Sequence, residues 1–215
     1  MPIRRRSREY PPEAIVEKTG VRVLRWDYLC LELLKDKDPY RAFVSANALI
    51  RNVIECTRNT QVESLAKLAD IQKHLKRLVA EVRMQKYRMR VLRRIDLLNP
   101  LCESVLESIT DVAFHQLGQT AQAQFEVKHA SGSYWIDFVW KPPSPSAAPV
   151  GIECDGHEKA ELAGYWNRQE LREIILAERG FRMIRFDSSQ IMHPDFPREL
   201  AKALGVESRK RLLRI

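Results

Sequence analysis

Three short apolar runs constrain this chain more than any other feature: 134–140 (YWIDFVW), 150–155 (VGIECD) and 181–186 (FRMIRF). Each has the length of a β-strand and falls far short of the roughly 20 apolar residues of a membrane span. The segment 141–149 (KPPSPSAAP) between the first two cannot be a central strand, because its prolines have no N–H to donate. The polar stretch 159–179 before the third run reads as a helix, with Gly180 as its C′ residue. Upstream, 124–129 reads as a strand, and Ala130-Ser131-Gly132-Ser133 as a hairpin turn into 134–140. Asn99 is a good N-cap with Pro100 at the first helical position, so a helix is expected over about 100–116, with Leu101, Val105, Leu106 and Ile109 inward. A closing helix over 196–204 completes the order α-β-β-β-α-β-α, and the fold class expected is α+β.

The front of the chain has a different character. Residues 1–12 hold Arg4, Arg5, Arg6 and Arg8 before Pro11 and Pro12, and read as a basic arm; 13–38 read as partly helical. The stretch 39–58 is expected as a helix with Phe43, Ala46, Leu49, Ile50 and Val53 on one face. From about 60 to 95 there is no Gly or Pro. Leu68, Ile71, Leu75, Leu78, Val82, Gln85, Met89 and Leu92 follow alternating steps of three and four, the pattern of a long helix with a coiled-coil-like seam. Between Lys67 and Arg94 ten Lys/Arg stand against Asp70 and Glu81. Two readings follow. The helix packs on its own domain with solvated lysines, or it forms a homodimer through 60–95 and tracks DNA with Lys73, Lys76, Arg77 and Arg83. The expected division is a helical region, 1–98, and a second domain, 99–215.

A net charge of +8 and a pI near 9.5 suit a polyanionic partner, with nucleic acid first. Cys30, Cys56, Cys102 and Cys154 are far apart and form no CxxC, which argues against a disulfide scaffold or a zinc ribbon and suits a reducing cytoplasm. No apolar stretch follows the basic start, so a signal peptide is not expected, and neither is a membrane partner.

The strand runs deliver carboxylates. Alternation places Glu153 and Asp155 on one face and Cys154 on the other, while Asp137 faces away from Ile136 and Phe138. If the two strands are neighbours, Asp137 and Glu153 can share one divalent cation. Three acids converging without a basic partner repel one another, and a hard cation relieves that. His74, His115, His129 and His193 form no spaced set for zinc.

Taken together, Asn99-Pro100-Leu101-Cys102-Glu103, Ile136-Asp137-Phe138, Glu153-Cys154-Asp155-Gly156-His157, Arg172 on a helix, and Gly180 to Phe186 resemble the PD-(D/E)xK nuclease superfamily. Within it they look like the branch of uncharacterised domains related to very-short-patch repair endonucleases. The resemblance covers about 99–205 and implies a restriction-endonuclease-like core. It implies a Mg²⁺-dependent DNA endonuclease, with Mn²⁺ as a substitute. Asp137, Glu153 and the Cys154 carbonyl would ligate the metal, and Glu103 would hold an outer-sphere water or a second ion. Where many members carry a lysine two residues after the Glu, this chain has Asp155; His157 or Lys159 is then expected to supply the proton-handling or cationic role. Arg168, Arg172 and Lys128 are expected against the nucleic acid. The alternative is a catalytically inactive nuclease-fold protein that binds nucleic acid or recruits a partner, as in a mobile-element or defence system.

Overall fold

Thr19 and Gly20 have φ of 48° and 76°, the doubly left-handed turn that joins twisted antiparallel strands. They fold β1 (Ile15–Lys18) onto β2 (Val21–Leu24). The stretch 13–38 is therefore a hairpin followed by α1 (Trp26–Leu34), a correction to the expected partial helix. This computed structural model describes residues 10–130, 132–156, 165–207, 212, 213 and 215, and over 165–171 only the backbone. The basic arm therefore lies largely outside the described residues.

Asp38 caps α2 (Pro39–Ile54) by accepting from the Tyr40 N–H at 2.9 Å, and of the expected inward face the helix buries Phe43, Ala46 and Ile50, while Leu49 is half-buried and Val53 is exposed. The expected single helix over 60–95 is two. α3 (Gln61–Glu81) stops, and α4 (Arg88–Asp96) starts after a turn. Arg83 takes φ of 45°, the Arg83 N–H bonds the Ala80 carbonyl at 3.0 Å, and the Met84 N–H reaches back to the Val79 carbonyl at 3.2 Å. That is the helix-ending motif usually built on glycine, here supplied by arginine. The seam divides with it. Leu68, Leu75 and Leu78 are buried within the chain, whereas Val82 and Met89 are exposed and so is Gln85. α3 packs against α1, α2 and α4, and its buried leucines belong to this chain's own core.

α5 (Val105–Leu117) starts later than Asn99-Pro100 suggests. Asn99 Oδ1 accepts from the Leu101 N–H at 3.1 Å in a local turn, and the cap is Ser104, whose hydroxyl accepts from the Glu107 N–H at 3.1 Å. Beyond it lie β3 (Gln122–His129), β4 (Gly132–Trp140), β5 (Val150–Asp155), α6 (Tyr165–Glu178), β6 (Arg182–Asp187), the one-turn α7 (Ser188–Ile191) and α8 (Phe196–Leu204). The sheet order is β3-β4-β5-β6, antiparallel except for the parallel β5–β6 pair, whose crossover is α6.

The molecule is mixed α+β, with eight α-helices and two sheets among the described residues. One sheet face carries Phe138, Ile152 and Phe186 against α5 and α8; Phe114 of α5 lies 5.8 Å from Phe138, ring centre to ring centre. The other face carries Val127, Ile136 and Val139 against Leu176 of α6. The first cluster continues into α1–α4, from Ala14 to Leu204, so the helical region and the sheet share a core.

Candidate functional site

The chemistry gathers where β4 and β5 part. Their ladder pairs Trp140 with Val150, Val139 with Gly151 and Phe138 with Ile152, then stops. One step further would set Asp137 against Glu153. There the Asp137 side chain takes the place of the ladder, and its Oδ2 accepts from the Cys154 N–H at 2.8 Å. Across β3–β4 the pairing also skips one step, between Ala123↔Phe138 and Phe125↔Ile136, where Gln124 has φ of 48°. As a result Ile136 and Phe138 belong to clusters on opposite sheet faces. Simple alternation at Asp137 therefore fails: a local irregularity, not strand parity, aims this carboxylate.

Glu153 is 4% exposed, and its Oε1 lies 2.5 Å from Nη2 of Arg172 on α6. The same nitrogen donates to the Trp135 carbonyl. Burial, reinforced by Asp137, pushes the Glu153 carboxyl up to about 8 against the opposing pull of Arg172 and Arg185. Glu107, on the first turn of α5, is 6% exposed. Its Oε2 accepts from Gln124 Nε2 at 2.8 Å and from the Glu103 N–H at 2.9 Å. Burial, and then Asp137, hold its carboxyl above the usual range. Asp137 thus raises both glutamates. Cys154 turns to the far face, where its sulfur lies 3.3 Å from the Thr110 hydroxyl.

Two expected roles are corrected. Glu103 does not join this group: Arg51 holds its Oε1 at 3.0 Å, and Arg58 holds its Oε2 at 2.6 Å. Glu107 stands there instead. Ser104-x-x-Glu107 before an apolar run is the sequence pattern of a capping box, which marks Glu107 as a first-turn residue. Gln124 had no comparable signal, since its position depends on an irregular φ. The acids are also not without basic partners. Besides the Glu153–Arg172 pair, Asp155 Oδ2 lies 3.1 Å from Arg185, which in turn reaches Glu173 at 3.1 Å. Arg185 sits opposite Glu153 in the parallel register.

The remaining expected residues scatter. Arg172 is in the site, as partner of Glu153. His157, Lys159 and the Arg168 side chain lie outside the described residues. Lys128 is exposed near the end of β3, 3.8 Å from Glu126. On α3, Lys73 pairs with Asp70 at 3.3 Å and Lys76 pairs with Asp96, while Arg77 and, beyond the helix end, Arg83 are exposed.

Among the described residues no group of three or more His, Cys, Asp or Glu stands ready to hold a metal ion. The donor chemistry nevertheless fits a hard cation. Asp137 and Glu153 offer carboxylate oxygens from adjoining strands, Glu107 stands behind them, and two of the three carboxyls are pushed toward the protonated form. No protein-family model, no curated protein and no solved structure matches the chain.

Proposed function

We propose that this protein is a Mg²⁺-dependent endonuclease of the PD-(D/E)xK type that hydrolyses phosphodiester bonds in DNA. One observation carries the reading. Two buried glutamates, Glu107 and Glu153, are held above their usual range by burial first and by Asp137 second, beside the point where two strands separate. A buried cluster of that kind is costly unless it has a charge to bind, and a divalent cation is the charge that also serves phosphodiester chemistry.

Asp137 and Glu153 are the residues that would hold the ion. When bound, Mg²⁺ neutralises charge developing on the phosphate and activates water. The hydrogen bond from Cys154 N–H fixes the Asp137 carboxylate in place. Hydrolysis adds the hydroxyl of water to phosphorus and delivers its proton to the leaving ester oxygen. Glu107 is suited to carry that proton: both of its N–H bonds fall on Oε2, which leaves Oε1 to accept it. Arg172 balances Glu153 in the free protein and becomes a donor to a phosphate oxygen once it turns away. The basic balance of the chain, +8, supports a polyanionic substrate.

The Glu153–Arg172 ion pair favours a second reading, in which the guanidinium permanently replaces the cation and the fold only binds nucleic acid. Nicking of supercoiled plasmid separates the two. The first reading expects nicking by the native protein in Mg²⁺, none in EDTA, and loss in both Asp137→Ala and Glu153→Ala. Equal nicking by native protein and variants points to a contaminant and removes the enzyme reading.

A further inference from the structure

A cavity of about 320 Å³ lies between the turn Arg58–Thr60 at the head of α3 and the β3–β4 strands. Arg58, Asn59 and Gln61 line one side; Gln124, Phe125 and Trp135 line the other. It adjoins the carboxylate cluster through two shared residues. The Trp135 carbonyl accepts from the Arg172 nitrogen that holds Glu153, and the Gln124 amide is bonded to Glu107.

The lining selects a ligand class. Its one cation among the described residues, Arg58, lies 6.0 Å from the centre of the Trp135 ring and is already paired with Glu103 at 2.6 Å. Glu63 and Glu126 add negative charge. A phosphate is therefore disfavoured here. What fits is a neutral, flat group with hydrogen-bond donors and acceptors along its edge. Trp135, Phe125 and the Arg58 guanidinium offer stacking surfaces, Asn59 offers an amide of the kind that reads base edges, and Gln61, whose Nε2 donates to the Gln124 carbonyl at 3.0 Å, offers its amide oxygen. Gln124 is 1% exposed; its amide nitrogen is bonded to Glu107, and its side-chain oxygen is buried with no hydrogen-bond partner.

We propose that this cavity receives a nucleobase unstacked from the DNA strand whose phosphate lies at Asp137 and Glu153. The proposal rests on the nuclease reading and deepens it. The substrate is a strand with an accessible base, single-stranded or locally unpaired, because a base inside an intact duplex must first be unstacked.

The test measures binding of a short fluorescein-labelled single strand by anisotropy in EDTA, where no metal-dependent cutting occurs. A series of strands carries one abasic site at each internal position in turn. One abasic position is expected to weaken binding about tenfold, the scale of one base stacked on an aromatic side chain. The Asn59→Ala/Gln61→Ala variant, which keeps the aromatic rings, is expected to reduce that difference to about threefold or less. Asn59→Ala alone, at an exposed site that leaves folding intact, is expected to narrow the gap. Binding within twofold for every abasic strand overturns the proposal, and so does a double variant that keeps the full preference. A free base shares the chemistry, so saturating deoxynucleosides form a second arm. Free deoxynucleosides that occupy the cavity while strand binding ignores abasic sites assign it to a small molecule and overturn the proposal. Plasmid nicking is read separately. Lost base preference with nicking intact removes only this cavity's role, and intact preference without nicking removes only the nuclease reading.

Discussion

Glu153 is the residue on which the pH behaviour turns. In the folded protein its proton is held to about 8, whereas an unfolded glutamate releases it near about 4.3. Between those values the folded state binds more protons, so this group makes the metal-free protein less stable as pH rises. Glu153→Gln is therefore expected to gain on the native protein by several °C in melting temperature as pH rises from about 5 to about 8.5 in EDTA, because a shift of this size is worth several kcal/mol. Thermal melts at both pH values check this, and an offset independent of pH contradicts it. The exchange of Glu103 for Glu107 makes a second prediction. Glu107→Gln is expected to lower Mg²⁺-dependent nicking by about 10²-fold or more, as loss of a proton-transfer group does. Glu103→Ala, which breaks the contacts to Arg51 and Arg58, is expected to lower stability by about 1 kcal/mol and leave nicking within a few-fold. Equal losses of nicking in the two variants contradict the exchange.

At the scale of the element, the strands and α6 were legible because short apolar runs bounded by Pro, Ser and Gly leave few alternatives, and Gly180 ends α6 with φ of 80°. The break in the long helix was not legible, because the residue that ends α3 is an arginine in a glycine conformation. Arg83→Gly is expected to raise stability by about 0.5–1 kcal/mol, since glycine reaches this φ without strain. Chemical denaturation checks it, and a loss of about 1 kcal/mol, the cost of glycine inside a continuous helix, contradicts the break. Ser104→Ala removes the α5 cap and is expected to cost about 1 kcal/mol and also to slow nicking, because that cap positions the turn carrying Glu107. The hairpin at Thr19-Gly20 was written in the sequence as two short β-branched runs around a two-residue turn, but it competes with helical spacing in so short a window.

At the scale of the whole molecule, a single core joins the helical region to the sheet, and Leu75 at 0% exposure belongs to it. Leu75→Ala is thus expected to cost about 2–5 kcal/mol of stability and leave the oligomeric state unchanged by light scattering. Dissociation of a dimer in that variant would restore the intermolecular seam. No helix among the described residues is long and apolar enough to cross a membrane. The acids of the candidate site were legible as residue types on strand ends, but their basic partners were not: Arg172 and Arg185 reach them only through the parallel β5–β6 crossover, a long-range feature that local patterning does not show. The whole account turns on whether that crowded corner takes a cation in place of Arg172. Anomalous scattering from a crystal soaked in Mn²⁺ decides it. The account predicts a peak bonded to the carboxylates of Asp137 and Glu153 at about 2.1–2.2 Å, with the Arg172 guanidinium moved off Glu153. Arg172 still paired with Glu153, and no peak beside Asp137 at saturating Mn²⁺, would contradict it.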